Sequence, residues 1–530
     1  MRRSDTLGRR SFLQYAAGAA SAAALAPIPI SIPTPARVLQ APPRIDLEEA
    51  TIASLQEGLR ARRYTARALC EAYLERIEAL DRTGPTLRSV LETNPDALAI
   101  ADRLDAERQA GRGGVRGPLY GIPVLIKDNI ATADRMMTTA GSLALVGATP
   151  PRDAFVAERL RAAGAVILGK TNLSEWANFR GNQSSSGWSG RGGQCKNPYA
   201  LDRNPCGSSS GTGAAIAASL AAVGVGTETD GSIVCPSSAC SLVGVKPTLG
   251  LISGAGIIPI SHSQDTAGPM CRTVTDAAIL LGVLAERDYG SSLDPNGLKG
   301  ARIGVARKKC FGYSPEADAL VNAAIDVLRR QGATIVDPAD IPHMGEYDDS
   351  EFTVLLYEFK ADLNAYLADW APGGPMRTLA DLIAFNETNK TRELLYFGQE
   401  IFVQAQEKGP LTDQAYIDAL EKNHRLSRSE GLDAVFAQHT LDAIVAPTGS
   451  PPWPTDLVNG DHFLGASSTP AAVAGYPSVC VPVGYSFGLP VGMSFIGRAS
   501  SESTLLKLAY AYEQAAKPGR PPRFLPTAAL

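Results

Sequence analysis

Six short apolar runs recur along this chain with helical stretches between them: Pro123 to Ile126, Ala165 to Leu168, Val223 to Gly226, Ile303 to Val305, Ala443 to Val445 and Val479 to Val483. A buried strand needs only a few consecutive apolar residues, and strands that alternate with helices fold as layers in which the helices cover the sheet. The pattern predicts the α/β class. At 530 residues, 45% of them hydrophobic, the chain could bury a large core. Length alone would allow about three domains. No linker or low-complexity segment divides the alternation, so we read one large α/β domain. Two other regions read as helical. In residues 46–110, Leu69, Tyr73, Ile77 and Leu80 recur at helical spacing, a stripe that belongs to a core. Residues 348–439 are rich in aromatics, among them Phe352, Tyr357, Phe359, Trp370, Phe397 and Phe402. These either pack the helices together or shape an apolar acyl-side pocket.

Chemistry concentrates in two turns, Gly207-Ser208-Ser209-Ser210-Gly211 and Thr227-Glu228-Thr229-Asp230-Gly231-Ser232, joined by a small-residue, helix-like run from Thr212 to Ala222. Glycine opens backbone conformations closed to other residues and leaves amide N–H groups free to face an anion. A serine on such backbone is the local chemistry of an acyl-transfer nucleophile with its oxyanion donors. One Gly/Ser loop is ordinary; two of them flanking one helix narrow the reading. The nucleophile needs a base. His262, in the loop Ile260-Ser261-His262-Ser263-Gln264-Asp265, reads as a structural or substrate-side residue because nothing recognisable pairs with it. Lys127 is the stronger candidate. It follows the run Pro123 to Ile126, and a lysine buried at the end of a strand is held less charged and can accept a proton near neutral pH. The first turn also fits G-x-S-x-G, with Ser209 as nucleophile, but that motif needs a hydrophobic strand before it. Asn197 to Cys206 is instead polar and punctuated by prolines, which argues against the elbow.

The order of these motifs resembles the amidase signature family, over roughly Ile45 to Gly497 and most densely from Gly121 to Thr275. The matching pieces are Gly121-Ile122-Pro123-Val124-Leu125-Ile126-Lys127-Asp128, the two serine turns, Gly244-Val245-Lys246-Pro247-Thr248, Ala446-Pro447-Thr448 and Leu489-Pro490-Val491-Gly492. Ser186 to Gln194, Arg203 to Ser208 and Ile260 to Pro269 are similar to the bacterial peptide amidase subgroup. The resemblance implies a mixed central β-sheet covered by helices on both faces. It implies hydrolysis of carboxamide C–N bonds, at C-terminal amides of peptides or at related acyl and aryl amides, through a Ser-Ser-Lys triad and an acyl-enzyme. Carried over residue by residue, Ser232 would be the nucleophile and Lys127 the general base. Ser208, after a cis non-proline bond, would relay the proton. The backbone N–H groups of Thr229, Asp230, Gly231 and Ser232 would form the oxyanion hole, and Ser209 would support the turn. Two departures bear on the leaving-group side: Asp230 stands where the family has a glycine, and Val234 where many members carry arginine. The resemblance implies no cofactor. It leaves one alternative of a different class, a non-catalytic chain or a tRNA-dependent amidotransferase-type subunit with the same fold. In this family the region equivalent to 348–439 is variable, and we expect a helical insertion on the substrate side there.

Leu7-Gly8-Arg9-Arg10-Ser11-Phe12-Leu13-Gln14, followed by the alanine-rich stretch Tyr15 to Ala26, reads as a twin-arginine export signal. The apolar run falls short of the ~20 residues of a membrane span and breaks at Pro27, Pro29 and Pro33. We therefore expect residues 1–36 to be a signal, cleaved near Thr34-Pro35-Ala36, the amidase domain to occupy 37–530, and the product to be periplasmic or secreted. A net charge of −4 with no basic patch speaks against a nucleic-acid partner; the expected partner is a small amide or peptide amide, with the chain a monomer or homodimer. None of the His and Cys residues has zinc spacing, so we expect no metal. Of the eight cysteines, Cys235 and Cys240, five apart, are the pair considered for a bridge, whereas Cys206 and Cys271 read as buried thiols.

Overall fold

Val124, Leu125 and Ile126 are fully buried in the strand Pro123–Lys127, because both faces of that strand are covered. A strand covered on both faces shows no alternation of apolar and polar residues, which is why such strands are legible as short apolar runs. The computed structural model describes residues 45–111 and 117–529; the export-signal reading falls on residues outside these. The strands are β1 (Val90–Thr93), β2 (Pro123–Lys127), β3 (Val166–Thr171), β4 (Trp188–Ser189), β5 (Gly193–Gln194), β6 (Val223–Glu228), β7 (Val243–Lys246), β8 (Thr266–Cys271), β9 (Arg302–Val305), β10 (Thr334–Val336), β11 (Ala443–Pro447), β12 (Ser478–Ser486) and β13 (Leu489–Ile496). Eleven of them form one sheet in the order β1-β3-β2-β6-β8-β7-β12-β13-β11-β9-β10, and β4 with β5 makes a separate two-stranded hairpin. The sheet is mixed. β3, β2 and β6 run parallel, as do β11, β9 and β10, while the strands between β6 and β11 pair antiparallel. This is the single large α/β domain that the alternation predicts.

All six apolar runs lie in strands of this sheet. Two strands that carry no such run contain residues that weaken the signal: β8 includes Gly268 and Pro269, β13 includes Pro490 and Gly492. Proline removes a ladder donor and is expected at the edge of a sheet. β8 tolerates Pro269 because β7 pairs only with Met270 and Cys271, which leaves Pro269 beyond the end of that ladder. The helix-like run between the serine turns is the helix Ser210–Ala217, all of it buried. A side chain at Gly211 would lie 2.4 Å from the carbonyl oxygens of both Asn172 and Ser89, so this helix approaches its neighbours as closely as backbone allows.

In the N-terminal region the helices Ile52–Arg60 and Ala66–Ile77 precede β1 in the chain and Ala97–Gln109 follows it, and Leu69, Tyr73 and Ile77 are buried as the helical stripe predicts. Between 348 and 439 the longest helix is Asp348–Trp370. The aromatics of this region pack onto the rest of the domain: Phe359 lies 5.1 Å from Phe179, Phe402 5.6 Å from Trp176 and Phe397 5.2 Å from Trp188, centroid to centroid. Arg180 adds a fully buried ion pair with Glu175 (2.9 Å), and its Nη1 donates to the carbonyls of Phe397 and Gly398. Burial, together with the neighbouring Glu393 carboxyl, pushes Glu175 well above the usual carboxylate range. Among the described residues, no helix is long and apolar enough to cross a membrane.

The cysteine expectation is corrected. Cys206 is bonded to Cys235, with Cα atoms 5.9 Å apart, and Cys240 is a free buried thiol, as are Cys271 and four others. Residues five apart on a helix lie about 140° apart around its axis. Cys235, in the helix Val234–Ala239, therefore faces a different direction from Cys240 at that helix's C-terminal end.

Candidate active site

β2 and β6 lie side by side and parallel, so Lys127 at the end of one meets Thr227 near the end of the other. Lys127 is fully buried and its Nζ donates to Ser208 Oγ (2.8 Å), Thr227 Oγ1 (2.8 Å) and the Thr227 carbonyl (3.2 Å). Asn129 Nδ2 also donates to Thr227 Oγ1 (2.9 Å). Burial pulls the Lys127 ammonium down from 10.5 to about 7, against the opposing pull of the Asp265 and Glu228 carboxylates. A lysine so placed is half deprotonated near neutrality and can exchange a proton with the serine it touches.

The Gly207–Ser208 peptide bond is cis, as the resemblance implies. Ser209 precedes the helix Ser210–Ala217; its hydroxyl donates to the Thr227 carbonyl (3.0 Å) and accepts from the Thr227 N–H (3.2 Å). With both contacts spent on β6 and its side chain fully buried, Ser209 is placed to hold the turn rather than to attack. The two serine turns meet through the backbone as well, the Ser209 N–H donating to the Ser232 carbonyl at 3.2 Å. Ser232 follows Gly231, whose φ of 78° is a left-handed conformation that favours glycine. Beyond the turn, Glu228 accepts from the Ile233 and Val234 N–H groups at 2.7 and 3.0 Å and so anchors the chain that leaves Ser232. The N–H groups of Thr229, Asp230, Gly231 and Ser232 donate to no protein acceptor among the described residues, and neither does the Ser232 hydroxyl. Asp230, the residue that departs from the family pattern, accepts from Thr469 Oγ1 (2.7 Å).

A cavity of about 480 Å³ opens beside this cluster. Its polar lining includes Asn129, Ser208, Thr227 and Thr229 together with His262, Asp265 and Asp362, and Leu249, Ile252, Ile257 and Ile258 form its apolar wall. Of the two readings of the aromatics in residues 348–439, this cavity favours packing: the segment contributes Asp362 to the lining, while Phe359, Phe402 and Phe397 pack against Phe179, Trp176 and Trp188.

His262 contacts neither serine. Its Nδ1 lies 2.8 Å from Asp362 and its Nε2 3.3 Å from Glu358, and the hydrogen bond to Asp362 holds its pKa above the usual histidine value. These three residues bring potential metal-ligand atoms within 4.8 Å of one another. The Glu358 oxygens already receive Tyr416 OH (2.7 Å), Ser261 Oγ (2.5 Å) and the Ser263 N–H (3.0 Å), so the group works as a latch between the loop and the long helix. Sequence reasoning passed over Asp265. It is half-buried in the cavity wall, accepts from Thr229 Oγ1 (2.6 Å) and from the Ile260 and Ser261 N–H groups, and is pushed up by desolvation to about 6. Its signal was present in the loop beside His262, but a carboxylate in a polar loop is locally unremarkable. Asn129 and Thr227, quoted only as motif context, are the other two additions.

A parallel-paired lysine, two cross-tied serine turns and a free row of amides thus lie together on one α/β domain. The Amidase family profile matches residues 68–506, and the chain belongs to that family. The native peptide amidase from Stenotrophomonas maltophilia superposes with a TM-score of 0.86 at 52% identity, covering 90% of this chain and 99% of its own. A probable amidase of Arabidopsis thaliana is 42% identical over 502 residues, 90% of this chain and 92% of its own length. A glutamyl-tRNA(Gln) amidotransferase subunit of Chloroflexus aurantiacus is 36% identical over 492 residues, 88% and 97% respectively. The chain is an amide-hydrolysing enzyme built on the amidase signature fold.

Proposed function

We propose that the enzyme hydrolyses C-terminal carboxamides of peptides, or related acyl and aryl amides, through an acyl-enzyme on Ser232. The observation that carries this reading is the fully buried Lys127 amine, near 7 and 2.8 Å from Ser208 Oγ, with Ser209 tying that turn to Ser232. Ser232 Oγ attacks the carbonyl carbon while its proton passes to Ser208, whose own proton passes to neutral Lys127. The carbonyl oxygen takes the negative charge and is held by the free N–H groups of the Thr229–Ser232 turn. The proton returns by the same path to the leaving nitrogen, the C–N bond breaks, and ammonia or an amine departs. Water then repeats the sequence on the ester and releases the acid.

The 52% identity to a peptide amidase, against 36% to the amidotransferase chain, favours a peptide amide over a tRNA-linked role. The cavity fits this choice, since an apolar wall beside Ser208 suits a side chain of a peptide rather than a polyanion. We also propose export by the twin-arginine route, which a bonded cysteine pair is compatible with. In the test, Ser232→Ala loses labelling by an active-site-directed fluorophosphonate, while the wild type releases ammonia from peptide amides faster than it cleaves esters. Retained labelling of Ser232→Ala overturns the nucleophile, and exclusive ester cleavage overturns the substrate class.

A further inference from the structure

The disulfide Cys206–Cys235 connects the two serine turns directly. Cys206 immediately precedes the Gly207–Ser208 pair, and Cys235 stands three residues after Ser232 in the first turn of the helix Val234–Ala239. Each cysteine is anchored on its own side. The Cys206 N–H donates to Asn204 Oδ1 (2.8 Å) and its carbonyl accepts from Ser210 Oγ (2.6 Å). The Cys235 N–H donates to the Gly231 carbonyl (2.8 Å), within the turn that bears Ser232. Ala239 and Trp453 cover the sulfurs in a small apolar cluster of their own, separate from the main core. Apart from this bond, three hydrogen bonds join the turns directly, and all of them are made by Ser209: its N–H donates to the Ser232 carbonyl, its hydroxyl donates to the Thr227 carbonyl, and that hydroxyl accepts from the Thr227 N–H.

We propose that the Cys206–Cys235 disulfide is a positioning element of the catalytic site, holding the Ser208 turn in register with the Ser232 turn, so that turnover depends on the oxidation state of this bond. The inference rests on the roles given to Ser208 and Ser232 above. A proton relay through two hydroxyls works over hydrogen-bond distances, and hydrogen bonds that all converge on Ser209 fix that one residue without fixing the angle between the turns, which a second tie at Cys206 and Cys235 does. Neither sulfur touches substrate. A dithiol such as dithiothreitol would open the bond by two-electron reduction, giving two thiols at Cys206 and Cys235 and the cyclic oxidised dithiol.

The test uses the full chain, with Cys206→Ala, Cys235→Ala and the double variant, all assayed on a peptide amide. We expect kcat to fall about tenfold to a hundredfold with KM moved by less than about twofold. The double variant should be no worse than either single one, because each removes the same bond. Wild type incubated with dithiothreitol should drop to the same rate and recover on reoxidation, whereas the double variant should ignore the reductant. A double variant that keeps wild-type kcat overturns the proposal even if its Tm falls, since that is what a purely structural bond would do. Should the variants not fold, the reduced wild type decides alone: unchanged kcat with both thiols titratable overturns it. Failure of the underlying mechanism reads out differently, as fluorophosphonate labelling of Ser232→Ala.

Discussion

Lys127 owes its chemistry to where β2 ends. The same residue on a surface would stay charged through the physiological range, but full burial lowers the ammonium to about 7, with only Asp265 and Glu228 pulling it back. In the proposed mechanism the active form is the neutral amine, so activity should rise with pH as Lys127 loses its proton. We expect log kcat/KM to climb with unit slope below about 7 and to level off above it. A flat profile from pH 5 to 9 would rule out Lys127 as the titrating base. Lys127→Arg, which keeps the charge but cannot deprotonate, should be inactive throughout that range. Thr227 completes the amine's surroundings: its hydroxyl and its carbonyl both accept from Nζ, which orients the amine toward Ser208.

The loop Ile260–Asp265 ties the serine turn to the helix Asp348–Trp370. Asp265 accepts from Thr229 in the serine turn and from two amides of its own loop, Gln264 donates to Glu351 (2.9 Å), and Ser261, His262 and Ser263 meet Glu358 and Asp362 on the helix Asp348–Trp370. Asp265 titrates near 6, so above that pH it carries the negative charge that favours the Lys127 ammonium. Asp265→Asn removes this charge and should move the acid limb of the pH profile to lower pH by roughly half to one unit. An unchanged midpoint would show that Asp265 acts only as a structural acceptor.

Across the whole molecule, the helices of residues 348–439 are bound to the sheet domain by buried rings and by Arg180, not hung from it by a linker. The export proposal belongs to this scale too: mass spectrometry of the protein recovered from the periplasm should give a mature chain beginning near Arg37, and an intact N-terminus in the cytoplasm would overturn it. The α/β class and the strands Pro123–Lys127, Val166–Thr171, Val223–Glu228 and Ala443–Pro447 were legible in the sequence, because burial on both faces writes itself as a local apolar run. The serine turns and Lys127 were legible as motifs, since glycine spacing and a strand-end lysine are local features. Strand order was not, nor were β8 and β13, whose prolines and glycines are tolerated only because of which neighbours they meet. Lys127 meets Ser208 and Thr227 across 81 and 100 residues of chain, Asp265 reaches Thr229 across 36, and Cys206 pairs with Cys235 rather than with Cys240 joining its partner five residues away. Short-range pattern reports how much each segment is buried; which segments then face one another depends on the pairing of the sheet, and only the tertiary structure decided that.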